Sequence, residues 1–132
     1  MSQTIAVIKG DGIGPEIMDA TLMVLDALNV GLRYEFVDAG LSAYEKTGEL
    51  LPEATLAAIA KYKVALKSPL TTPVGEGFTS VNVGLRQALD LYSNLRPVIN
   101  LPGVSSRFQN VDIVIVRENT EDLYAGIEHM VG

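Results

Sequence analysis

The chain contains no cysteine, which excludes disulfides, thiolate metal sites and a cysteine nucleophile. It has no tryptophan and one histidine, His129, to which no catalytic role is assigned. No apolar run approaches the ~20 residues of a membrane span. The opening "MSQTIAVIKG" lacks the basic region and long apolar stretch of a secretion signal. A cytoplasmic protein is expected. Positive charge is also scarce, with 10 Lys and Arg against 16 Asp and Glu, for a net charge of −6. That balance argues against a general nucleic-acid binder, which needs clustered cations for phosphates.

The 132 residues are 48% apolar and 20% charged, enough for one ordinary domain with a core. Four of the five arginines (Arg86, Arg96, Arg107 and Arg117) follow residue 80. Such a concentration suits an anion site or a decorated surface, and position along the chain leaves both open. "TIAVI", 4–8, reads as a buried strand. "GDGIGPE", 10–16, reads as a tight turn with Pro15 and Glu16 suited to a helix start. Ile17, Ala20, Val24, Leu25 and Leu28 then predict a helical stripe. "LRYEFVDAG", 32–40, alternates like a strand, and "LPEATLAAIAKY", 51–62, is a second helix. "VALKSPLTTP", 64–73, opens as a strand and breaks at Pro69. Leu85, Ala88, Leu89 and Tyr92 have the spacing of a buried helix face. "RPVINL", 96–101, is a strand. The β-branched run of "VDIVIVREN", 111–119, predicts a strand covered on both faces. Alternating strands and helices indicate an α/β fold with a largely parallel sheet flanked by helices. The polar stretch "NLPGVSSRFQN", 100–110, could separate two lobes. The chain ends on an apolar-rich segment with no polar tail, so it is expected to be part of a longer one.

Several short stretches carry polar groups that could do chemistry. The glycines of "GDGIG" are not spaced as G-x-G-x-x-G, which favours a plain strand-to-helix turn over a dinucleotide fingerprint. Lys67, Thr71 and Thr72 lie where a strand ends, and ligands of parallel sheets gather beyond strand carboxyl ends. Ser80 is by default an N-cap, although a carboxylate at the same helix start would gain from the exposed amides and the dipole. Asn82 and Arg86 lie four apart on one helix face, and Arg86 could instead pair with Asp90. Arg96 follows that helix. Arg117 ends the most buried-looking strand and needs a carboxylate, an anionic ligand or water.

"IKGDGIGPEI", "LKSPLTTPVGEGFTSVNVGLRQALDLYSNLRPV" and "VIVRENTEDLYAGIEH" together resemble the isocitrate/isopropylmalate dehydrogenase family of β-decarboxylating enzymes. The last two carry most of the specificity. Within the family, "TSVNVGLRQ" looks like the isocitrate type, because Ser80 and Asn82 are small and polar where the isopropylmalate type is apolar. The resemblance implies that Ser80, Asn82, Arg86, Arg96 and Arg117 bind isocitrate. It implies that Tyr124 protonates the enol left after CO₂ departs. Thr71 would lie beside nicotinamide and substrate with Thr72 as its neighbour, and Ile13 would lie near adenosine.

The implied reaction is oxidation of isocitrate to 2-oxoglutarate and CO₂ with Mg²⁺ or Mn²⁺. Three arginines suit a tricarboxylate. The short N-terminus and "ENTEDLYAGIEH" resemble the NAD-linked type, so NAD is expected in preference to NADP. The family's metal ligands and catalytic lysine lie further along its chain, so no metal ligand is assigned to these residues. The 132-residue chain alone is expected to be inactive. Residues 1–98 would form the N-terminal half of the large domain and 99–132 the entry into the small one. A homo-oligomer, a homodimer in the simplest case, is implied for the full-length protein. Alternatives are a homoisocitrate, isopropylmalate or tartrate enzyme, or a non-catalytic binding or regulatory subunit. Tyr124 argues against the last, since a pure binder needs no proton donor.

Overall fold

The computed structural model describes residues 2–71, 80–121 and 125. The chain divides into two compact units, Met1–Leu89 and Asp90–Gly132. In the first unit, β1 (Gln3–Ile8) lies between β2 (Leu32–Val37) and β3 (Ala65–Lys67), all parallel. Helix α1 (Gly14–Ala27) carries the chain from β1 to one neighbour. Helices α2 (Leu41–Thr47) and α3 (Glu53–Tyr62) carry it across to the other. The strand order β2-β1-β3 therefore reverses direction at β1, and the carboxyl ends of β1 and β3 border the crevice where open α/β sheets hold ligands.

β1 is apolar throughout its second half because both its faces are covered. Ala6 and Ile8 point into a cluster with Ala39, Ile59, Val81 and Leu85. Ile5 and Val7 point the other way, onto Met18 and Leu22 of α1. The first cluster seats α4 (Val81–Ala88) on the sheet through Val81 and Leu85, which places the polar start of that helix at a fixed position.

Three sequence expectations about packing change here. Met18, Leu22 and Leu25 face the sheet, while Ile17, Val24 and Leu28 are exposed. α1 is apolar on two sides, so periodicity alone did not identify the inner one. Leu22→Ala should therefore cost ~2–5 kcal/mol in urea unfolding of this chain. Val24→Ala, at a site 61% exposed, should stay within ~0.5 kcal/mol of the parent. On α4, Ala88 is exposed and Tyr92 lies outside the helix. The Leu89 N–H closes on Leu85, and Asp90 turns into the left-handed region at φ 52°. Lastly, α2 was not foreseen at all.

The second unit holds an antiparallel ribbon of β4 (Ser93–Ile99) and β5 (Asp112–Glu118), with Asn94 opposite Arg117 and Arg96 opposite Ile115. β5 is exposed along its whole length, not covered on both faces, because a two-stranded ribbon has no layer of its own to lie under. Residues 100–110 join these two paired strands. Asn100 ties the connection by donating to the Phe108 carbonyl and accepting from the Val111 N–H. The segment that could have parted two lobes is thus a hairpin connection inside one unit. Among the described residues no helix is long and apolar enough to cross a membrane.

Candidate functional site

The crevice in the first unit starts at the turn after β1. Gly10 has φ +72°, and a Cβ there would overlap the Pro69 carbonyl. A Cβ on Gly14 would lie 2.6 Å from both the Lys9 carbonyl and the Ser68 hydroxyl. These two glycines let the end of β3 approach the turn, which is the plain structural role. The start of α1 is also a poor phosphate site, since Pro15 has no N–H and Glu16 adds negative charge. Gly12 has open space around it, and the neighbouring Ile13 is 66% exposed. That apolar side chain offers a surface on which a planar ring can lie, which is the one way this turn fits a nucleotide.

Asp11 is the group that sequence reasoning overlooked. It is buried, and its carboxylate accepts from the backbone N–H groups of Leu41 at 2.9 Å, Ser42 at 2.8 Å and Thr71 at 3.0 Å. Its own N–H donates to the Pro69 carbonyl at 3.1 Å. Asp11 thereby joins the segments that follow all three strands of the sheet. A lone carboxylate in a glycine turn at a strand's carboxyl end was the available signal. Burial pushes its pKa up, but the N–H groups of Ser42, Thr71 and Leu41 outweigh that and hold it below the ordinary value of 3.8. A depressed folded-state pKa means stability that is complete above the unfolded value and lost as pH falls through the folded one. Stability should therefore decline in acid below about pH 4, and Asp11→Asn should flatten that part of a pH series of urea midpoints.

At the start of α4, Ser80 occupies the N-cap position, yet its hydroxyl makes no capping hydrogen bond. The expected cap is thus not what this hydroxyl does. Asn82 and Arg86 lie one turn apart and are both partly exposed. Lys67, at the end of β3, donates to the Ser68 carbonyl at 2.9 Å. Partial burial and the Arg86 guanidinium push its pKa below the usual lysine value. The Arg86 charge is thus felt at Lys67. The ion pairs among the described residues are Lys9 with Asp19 and Lys46 with Asp38, so neither cation has a carboxylate partner among them. Cations close enough to repel each other gain by taking an anion between them.

In the second unit the ribbon register puts Arg96, Asn94 and Arg117 on one face, with Arg96 and Arg117 as diagonal neighbours. Glu118, the next residue, accepts from the N–H groups of Thr120 and Glu121 and from the Thr120 hydroxyl, which shapes the turn after β5. Thr72, Tyr124 and His129 lie outside the described residues. Among the described residues no group of three or more His, Asp or Glu could hold a metal.

Residues 4–132 match the family model described as isocitrate/isopropylmalate dehydrogenase. The chain belongs to that family. An isocitrate dehydrogenase [NADP] of Thermus thermophilus is 50% identical over 96% of this chain and 26% of that protein. One of Staphylococcus epidermidis is 51% identical over 97% of this chain and 33% of that protein. The solved isocitrate dehydrogenase of Methylococcus capsulatus superposes with a TM-score of 0.89 at 52% identity, covering 98% of this chain and 38% of that one. The chain thus spans about a quarter to a third of the length of these two curated relatives.

The α/β fold expected for an isocitrate/isopropylmalate dehydrogenase is the one observed. The preference for NAD is overturned, because these two relatives carry NADP in their names. That preference rested on N-terminal length and on "ENTEDLYAGIEH". Neither supplies a group that distinguishes a 2′-phosphate from a 2′-hydroxyl.

Proposed function

We propose that the protein built on this chain oxidises and decarboxylates isocitrate to 2-oxoglutarate and CO₂ with NADP⁺ and Mg²⁺ or Mn²⁺. The observation that carries the reading is the start of α4, where Val81 and Leu85 seat the helix on the sheet and the Ser80 hydroxyl makes no capping bond. The similarity to proteins named isocitrate dehydrogenase supports the same substrate.

In this reading Arg86 clamps one carboxylate through its planar fork. Lys67 adds charge, and the exposed amides of the first turn of α4 favour an anion at the helix start. Ser80 and Asn82 hydrogen-bond the carboxylate that an isopropyl group would replace. Arg96 and Arg117 are assigned to the same tricarboxylate by their match to the family motif. Holding several carboxylates at once restricts the substrate to the orientation in which C2 faces the cofactor.

Bound nicotinamide supplies the acceptor for the C2 hydride. Thr71 and Thr72 are assigned to the cofactor and substrate side of the site, and Ile13 to packing near the adenosine. Tyr124 is assigned as the donor of the proton that the enol receives at carbon. The metal's ligands belong outside the described residues. Residues 1–98 are assigned to the large domain and 99–132 to the entry of the small one. A cytoplasmic homodimer completes the proposal.

The test is turnover by the full-length protein with NADP⁺ and Mg²⁺. kcat/KM should favour isocitrate over 3-isopropylmalate by roughly 100-fold or more, because polar groups matched to a carboxylate are left unpaired by an alkyl group. Equal or reversed preference would move the assignment to another member of the family.

A further inference from the structure

We infer that Asp11 is a positioning residue for the reaction, which holds the backbone at Thr71 in register with the sheet. The inference rests on the reading of Thr71 as a residue beside nicotinamide and substrate. Three observations support it. Asp11 grips the segment after β3 twice, once through its own N–H to the Pro69 carbonyl and once through its carboxylate to the Thr71 N–H. The same carboxylate is held by the N–H groups of Leu41 and Ser42 at the start of α2, so it cannot swing without breaking that contact. Its neighbours leave no slack, because Cβ atoms on Gly10 and Gly40 would run into the Pro69 carbonyl and the Asp11 carboxylate.

One carboxylate oxygen accepts from both Leu41 and Thr71, and the other accepts from Ser42. An asparagine cannot reproduce this. Whichever way its amide turns, an NH₂ faces a backbone N–H. The segment bearing Thr71 is then released by a fraction of its present restraint, and reacting geometry is sensitive to displacements of about 1 Å.

Asp11→Asn in the full-length protein should lower kcat for isocitrate by about 10- to 100-fold with a much smaller change in KM. In a Thr71→Ala background the same substitution should have little further effect on kcat, because the contact survives there but the side chain it places is gone. An equal loss in both backgrounds would overturn the inference, since a general loosening of the fold does not depend on Thr71. Amide hydrogen exchange supplies a readout that needs no turnover. The Thr71 N–H should be protected in the parent protein and exchange faster in Asp11→Asn, while the Ala6 N–H keeps its protection. If Asp11→Asn does not fold, an unprotected Thr71 N–H in the parent overturns the inference and a protected one supports it. Absence of isocitrate turnover by the parent would sink the functional reading, and the exchange data would still report on the contact.

Discussion

Arg86→Ala in the full-length protein is expected to lower kcat/KM for isocitrate by about 10- to 100-fold, equivalent to the ~1.5–3 kcal/mol of a hydrogen bond to a charged group. Arg86 lies in the last turn of α4, on a helix seated by Val81 and Leu85, so truncation should leave the helix in place on the sheet. The loss should fall on substrate handling, with the urea midpoint little changed. Arg86→Lys should recover only part of it, because a lysine cannot make the bidentate contact. Arg86→Ala should also raise the pKa of Lys67, since Arg86 contributes to its depression. That shift can be followed by lysine-selective chemical labelling as a function of pH. A variant with normal kcat/KM would remove Arg86 from the site.

Gly40→Ala should be strongly damaging to the first unit. Gly40 has φ 81° and ψ −150°, a region that residues with a side chain rarely enter. Its Cβ would also run into the Asp11 carboxylate. Strain and the displaced hydrogen bonds together should cost ~2–5 kcal/mol. At ~4–8 °C per kcal/mol for a domain of this size, the fall in Tm should be large. Gly48 is the control. It has φ 80° but nothing within 4 Å of a Cβ, so Gly48→Ala should cost only the ~1–2 kcal/mol of a left-handed residue. Similar losses at both positions would mean that the carboxylate does not occupy the space assigned to it.

β1 and the turn after it could be read directly, because that covered strand is written as an uninterrupted apolar run and glycines punctuate its end. α2 could not. It has seven residues, begins at a glycine with no side-chain cap of its own, and takes its N-terminal hydrogen bonds from Asp11, 30 and 31 residues earlier in the chain. Helices of that length are stabilised by tertiary contacts, which a local pattern does not contain. The inner face of α1 was misread for a related reason, since Ile17 and Val24 are as apolar as Met18 and Leu22.

The site divides in the same way. Ser80, Asn82 and Arg86 are candidates that the sequence offers by itself, because polar residues recur along one short helix. The effect of Arg86 on Lys67 joins residues 19 positions apart in the chain, and the grip of Asp11 depends on three strand ends meeting. Both belong to tertiary structure. The NAD preference rested on segment length and motif likeness, and the NADP in the names of the relatives overturned it.

The central claim is that a tricarboxylate is held at the start of α4, and a crystal structure of the full-length protein with isocitrate tests it most directly. The expected result places substrate carboxylate oxygens within hydrogen-bond distance of the Ser80 hydroxyl, the Asn82 amide and the Arg86 guanidinium. Isocitrate bound with no contact to any of these three would contradict the account.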